Sequence, residues 1–315
     1  MPSLAMGLGL HKQRFRGNGM GVSGFRPFII EVKTDNAGTS NDNQFQFTGA
    51  LGDYDVLAKQ GGVIVETFND LSDEATITFA TAGIYDLEVF PKASNGFNRI
   101  EFGGVGDKYK ILDIKQWGNI VWDSFENAFY GCNDMTVTAT DVPNLSNVTT
   151  MRYMFFEAFS ANPDTTNWDV SSVTDMSFMF RSASSANPDT SNWDVSSVTD
   201  MKAMFSRASS ANPDTSNWDV SSVTDMSFMF FNAPLANPDT SNWDVSSVTN
   251  MGRMFENSNL SVENLTAIYE NWSQLNLQQN VEFSAGNTKY NASGQAGRDI
   301  LVNTYNWTIE DGGQV

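Results

Sequence analysis

The sequence predicts an N-terminal β-sandwich, a short α/β solenoid and an α/β C-terminal cap. Three observations carry that reading. Residues 27–105 alternate apolar and polar side chains between turn-forming clusters. Residues 106–258 repeat every 25 residues. Residues 259–315 leave that period for two helix-like stretches and a last strand.

Ahead of the first strand, residues 1–26 hold Lys12, Arg14, Arg16 and Arg26 and no acid, so the remainder carries 37 acids against 14 bases. A basic, Gly-rich arm on an acidic body reads as a docking peptide, with a disordered terminus as the alternative. It does not read as a secretory signal, because Leu4 to Leu10 precede the bases instead of following them.

In residues 27–105, FIIEVKT, NQFQFTG, VIVETF, ATITFA and IYDLEVF have the period-2 pattern of half-buried strands, separated by Gly, Asn and Asp clusters such as TDNAGTSNDN. Short strands at this spacing predict an immunoglobulin-like sandwich.

The 25-residue period is the strongest signal. Trp168, Trp193, Trp218 and Trp243 recur at that step, as do the pairs Met151/Met154 through Met251/Met254. A degenerate copy around Trp117, Phe125, Ala128, Phe129 and Cys132 brings the count to six turns. Met176, Met179, Phe180 and Ala183 stand at i, i+3, i+4 and i+7, which predicts a short helix capped by Thr174 or Asp175. TSNWDVSSV predicts a short strand and turn. A strand and helix in one such unit is the size of a leucine-rich repeat, and one unit buries its apolar face only by stacking on the next.

Stacking would line up Asn162, Asn187, Asn212 and Asn237, whose amides can satisfy backbone groups. It would also line up carboxylates, among them Asp189, Asp194, Asp214 and Asp219. Screening by water and salt is the simpler account; calcium between them is the alternative. The positions that differ among near-identical copies lie off the apolar face. They include Tyr153, Phe156, Phe159, Phe178, Arg181, Phe228 and Phe231, a candidate binding face of aromatics with occasional cations. Packing into the core or onto a second copy of the chain are the alternatives.

In the cap, SVENLTAIYENW sets Leu265, Ile268, Tyr269 and Trp272 on one helix face with Ser261 as N-cap; residues 294–302 predict a second helix and NWTI a last strand.

Composition narrows the function. The formal net charge of -19 argues against nucleic acid and against an anionic membrane surface. No apolar run approaches the ~20 residues of a spanning helix. One cysteine, Cys132, and one histidine, His11, leave no disulfide, no Cys- or His-rich metal site and no cofactor motif. The repeated carboxylates are equivalent, whereas a catalytic pair needs two distinct environments.

The repeat NWDVSSVTDMSFMFRSA resembles the unit of BspA-like leucine-rich-repeat surface proteins, although Ala186 and Thr190 stand where that family has Phe and Ile. KTDNAGTSNDNQFQF and ITFATAGIYDLEV resemble the polycystic-kidney-disease-type sandwich that often precedes such repeats. DKYKILDIKQWGNIVWDSFENAFYGC resembles their opening turn, and LNLQQNVEFSAGNTKY with NTYNWTIEDGG resembles their C-terminal cap. The resemblance spans about residues 30–313 and implies surface display and adhesion without enzymatic activity. The N-terminus resembles that of some phage virion proteins. The leading expectation is therefore a virion fibre or decoration protein, docked to other virion proteins by its arm and binding a host surface glycan or protein. The alternative is a bacterial cell-surface adhesin.

Overall fold

The computed structural model describes residues 24–92 and 96–315. Eight strands form the N-terminal part: β1 (Phe28–Lys33), β2 (Gln44–Gln46), β3 (Asp53–Gln60), β4 (Val63–Ser72), β5 (Thr76–Thr78), β6 (Ile84–Pro91), β7 (Ile111–Gln116) and β8 (Thr136–Val137). Six of them make one sheet in the order β4-β3-β6-β1-β7-β8, antiparallel except for the β7–β8 pair. Alternation sets the faces: Phe28, Ile30 and Val32 of β1 are fully buried, and the residues between them are half-buried. β2 and β5 pair only with each other.

A buried ion pair ties the loop after β1 to the segment before β7. The Asp107 carboxylate accepts from the backbone N–H groups of Thr39 (2.9 Å), Ser40 (3.0 Å) and Gln46 (2.7 Å). Lys110 Nζ donates to the carbonyls of Ser40, Asn41 and Gln44. The two charges lie 3.9 Å apart with no solvent exposure. Burial pulls the Lys110 ammonium below its usual range, and Asp107 acts against that pull.

The predicted fold class is corrected here. The regular structure of the described residues is mostly strand, with only two α-helices, α1 (Val262–Trp272) and α2 (Gln295–Tyr305), both after the repeats. The expected sandwich is not formed as two comparable sheets: one sheet has six strands and runs on into the first repeat through β7 and β8, and the other is the β2–β5 pair. From Thr150 onward the expected α/β leucine-rich-repeat units contain neither helix nor strand. Each is a chain of turns joined to the next unit by a single parallel bridge, Thr150–Asp175, Asp175–Asp200, Asp200–Asp225 and Asp225–Asn250.

Within the repeat, the causes of the missing strand and the missing helix are local. In DTSNWDVSSV, Asp189 captures the N–H of Ser191 and Asp194 that of Ser196, closing turns that compete with a strand ladder. In the methionine segment, left-handed residues interrupt any helix: Phe178 has φ 61° and Ser182 φ 62°, and their copies do the same. Successive N–H groups there alternate partners. Met179, Arg181 and Ala183 donate three residues back, whereas Met176, Phe178, Phe180 and Ser182 donate to Asp200, Lys202, Met204 and Ser206 of the next turn. Half the donors thus serve the turn and half the stack.

The apolar side chains fill the middle of that stack. Met176, Met179 and Phe180 are fully buried and Trp193 is nearly so. The rings of Phe129, Phe155, Phe180, Phe205, Phe230 and Phe255 follow one another at 5.5–5.8 Å. Trp193, Trp218 and Trp243 stack in parallel, and Trp193, Trp218, Trp243 and then Trp272 each donate Nε1–H to a threonine carbonyl of the turn before. Trp272 belongs to α1, so the cap helix continues the tryptophan pattern. Ser261 caps α1 by accepting from the Asn264 N–H, and Leu265, Ile268, Tyr269 and Trp272 are buried. α2 crosses closely at Gly297, where a Cβ would overlap the Tyr269 carbonyl. β9 (Glu282–Ser284) and β10 (Thr308–Glu310) pair in parallel, and β9 accepts from Met251 and Phe255, closing the last turn. At the other end Trp117 and Trp122 pack between the sheet and the first turns.

Candidate functional site

The left-handed position between the methionines sets up the candidate site. It is occupied in successive turns by Tyr153, Phe178, Ala203, Phe228 and Arg253, all at φ 52–61°. With backbone hydrogen bonds on both sides, this column projects from the stack, and most of its side chains are half-buried. Three positions on, the column is Phe156, Arg181, Ser206, Phe231 and Glu256.

These two columns bring most of the expected binding-face residues together. Tyr153 stacks on Phe178 at 4.6 Å and meets Phe156 edge-on at 5.3 Å. The Arg181 guanidinium lies over Phe156 (5.2 Å) and Phe178 (5.7 Å). Phe228 and Phe231 meet edge-on at 5.6 Å, with Arg253 over both. Phe156 is nearly buried, at 7% exposure. Phe159 stands apart, 42% exposed, in the column that continues as Ser184 and Ser209.

In the Met201 turn both columns hold short side chains, Ala203 and Ser206. The ladder of rings is broken there, and a cavity of about 270 Å³ opens. It is lined by Phe178, Arg181, Lys202, Ala203, Ser206, Arg207, Phe228, Phe231 and Arg253. Ala203, Ser206 and Arg253 lie outside the face expected from the sequence, which rests on inserted aromatics and Arg181. The signal was in the alignment of the copies: one turn lacks the ring its neighbours carry. The cations are unevenly matched. Lys202 lies 4.0 Å from Asp225 and Arg253 3.5 Å from Glu256, whereas Arg181 and Arg207 have no carboxylate within ion-pair distance among the described residues.

The acidic columns are used locally. Asp189, Asp194 and Asp214 each accept from both the N–H and the hydroxyl of the serine two residues on, and Asp219 accepts from the Ser221 N–H. Those serine bonds hold the Asp189, Asp214 and Asp219 carboxyls below the usual range. Among the described residues no three His, Cys, Asp or Glu side chains converge as a metal site would require. Asp200 differs: partial burial, with Asp175 and Asp225 on either side, pushes its carboxyl above the usual range. The expected amide column is present, each Asn162, Asn187 and Asn212 Oδ1 accepting from the N–H of the asparagine one turn on.

Of the arm residues, Arg26 is engaged within this chain, 3.4 Å from the Asp141 carboxylate and joined to Asn119. Lys12, Arg14 and Arg16 lie outside the described residues. No described helix is long and apolar enough to cross a membrane.

Residues 123–239 and 210–294 match the family described as "Mycoplasma protein of unknown function, DUF285", together covering more than half of the chain. The chain belongs to this family. Membership is consistent with the BspA-like, surface-associated reading of the repeats. No curated protein and no solved structure matches the chain.

Proposed function

We propose that this DUF285 chain is a non-enzymatic, surface-displayed recognition protein that attaches to glycan or protein material through the aromatic and cationic columns of its repeats. One observation carries this reading. Substitutions among otherwise near-identical turns gather in one patch, where rings and guanidinium groups stay half-exposed. Exposed rings cost solubility, so a contiguous group of them points to a partner. Catalysis is a weaker reading, because the repeated aspartates are equivalent and each is held by its own turn. Surface display is the part of this reading that the family match supports. The virion assignment leans on residues 1–26 and draws no support from the family match.

The test is adsorption of the purified full-length chain to a panel of immobilised polysaccharides and cell-surface proteins. Replacing Phe178 and Phe228 together with Ser should abolish adsorption and leave the melting temperature within about 2 °C, as expected for half-exposed side chains. Unchanged adsorption, or a collapse in stability, would overturn the assignment of this face.

A further inference from the structure

We propose that the gap at Ala203 is a binding slot for a single acidic sugar ring, one carrying a carboxylate or sulfate, in a surface polysaccharide. The inference rests on the recognition reading above and names its ligand class.

The first argument is charge. From Thr150 to Leu260 the sequence has thirteen acidic residues and five basic ones, Arg152, Arg181, Lys202, Arg207 and Arg253. All but Arg152, which lies over the Tyr153 ring, line this one cavity. Structural neutralisation of the stack would spread cations along the aspartate columns. Instead they converge where the ladder of rings is interrupted, and Arg181 and Arg207 have no carboxylate partner among the described residues. Guanidinium groups offer paired N–H donors matched to a carboxylate or sulfate.

The second argument is thickness. Phe178 and Phe228 are two turns apart, ~10 Å at the ~4.8 Å spacing of hydrogen-bonded neighbouring chains. A flat ring fits there with little slack, since Tyr153 already stands 4.6 Å from Phe178, and a Phe at position 203 would close the gap. A saturated ring is thicker, because its axial C–H bonds stand out from both faces. Such C–H bonds pack well on Phe faces, while the ring's charged substituent reaches the guanidinium groups at the rim. Ser206 at the slot floor supplies a hydroxyl for the sugar's own hydroxyls. A phosphate or simple carboxylate would use the cations but leave the Phe walls idle. A neutral sugar would do the reverse.

The slot makes its own control. Phe is already accepted at φ 61° and 60° in the flanking turns, so Ala203→Phe continues the ladder without a new backbone conformation. It should keep or raise the melting temperature while filling the site. Titration calorimetry of the full-length chain would use three probes: a hyaluronan hexasaccharide, a chondroitin sulfate hexasaccharide and neutral maltohexaose. At least one acidic probe should bind and maltohexaose should not. Raising salt from ~50 to ~500 mM should weaken binding severalfold. Ala203→Phe and, separately, Arg207→Ser should each weaken it about tenfold or more, the second without altering packing because Arg207 is exposed. Binding of neither acidic probe, equal binding of maltohexaose, or full affinity in a folded Ala203→Phe protein would each overturn the proposal. If adsorption still depends on Phe178 and Phe228 while no acidic probe binds, the recognition face stands and the ligand class falls.

Discussion

The sheet and the repeat stack solve the same problem with opposite means. In the sheet, unlike residues meet once: Lys110 with Asp107, Tyr54 Oη with the Asp73 carbonyl, Phe28 with Trp117 and Trp122. In the stack, each residue meets its own copy: Phe on Phe, Trp on Trp, Asn on Asn. Contacts in the sheet are specific because they are unique. Contacts in the stack are specific only because the ends are fixed, by β7, β8 and the paired tryptophans on one side and by β9 and α1 on the other. A change in the sheet removes one interaction, whereas a change in the stack is felt by the turns on both sides.

The sharpest way to break this comparison is a charge inside the stack. Met204 is fully buried between like neighbours, so Met204→Asp should cost about 5 kcal/mol or more and unfold the repeats, read as loss of the cooperative transition in calorimetry. An unchanged melting temperature would mean the wrong residues have been placed inside. Next comes the unique pair. Lys110→Met strands a buried carboxylate and should cost about 3–5 kcal/mol. Hydrogen exchange should report the loss first in the loop after β1 and in β2, because those are the backbone groups the pair holds. Equal deprotection of residues 160–250 would show the two regions to be more tightly coupled than their contacts imply.

A smaller effect separates backbone satisfaction from packing. Asn212→Ala removes the acceptor for the Asn237 N–H near the surface and should cost about 1 kcal/mol in denaturant unfolding. The smallest effect has the opposite sign. The Asp200 carboxyl titrates above its ordinary range when folded, so its ionisation opposes folding and stability falls as pH rises through that range. Asp200→Asn keeps the acceptor for the Lys202 N–H, as Asn250 does for Gly252. It should stabilise the protein by about 0.2–1 kcal/mol at pH 7, and the gain should vanish at low pH, where Asp200 is protonated. A gain independent of pH would assign the effect to something other than charge.

Legibility in the sequence followed the same division. The period, the buried methionine and aromatic columns, the asparagine ladder and the Ser261-capped helix were visible, because each depends on spacing alone. The backbone of the repeat was not. Methionines at i, i+3 and i+4 face one way in a helix, and they do so equally in a run of turns whose every fourth residue is left-handed. Nothing in MSFMFRSA marks Phe178 as left-handed, since the conformation is held by hydrogen bonds to a turn 24 residues on. The candidate face was legible as a set of varying residues, but its centre was not, because the decisive position is the one where a side chain is short.

The identical bonding on the two faces of each turn has a consequence for inheritance. A gene that gains or loses one whole copy of the repeat still encodes a closed stack, since every severed partner is replaced by its equivalent. Slippage between near-identical stretches of DNA is therefore tolerated by the fold. Removing the copy that carries Ala203 would set Phe178 beside Phe228 and seal the cavity, and duplicating it would widen the gap by one turn. A single recombination event can thus change the shape of the cavity without changing what holds the chain together.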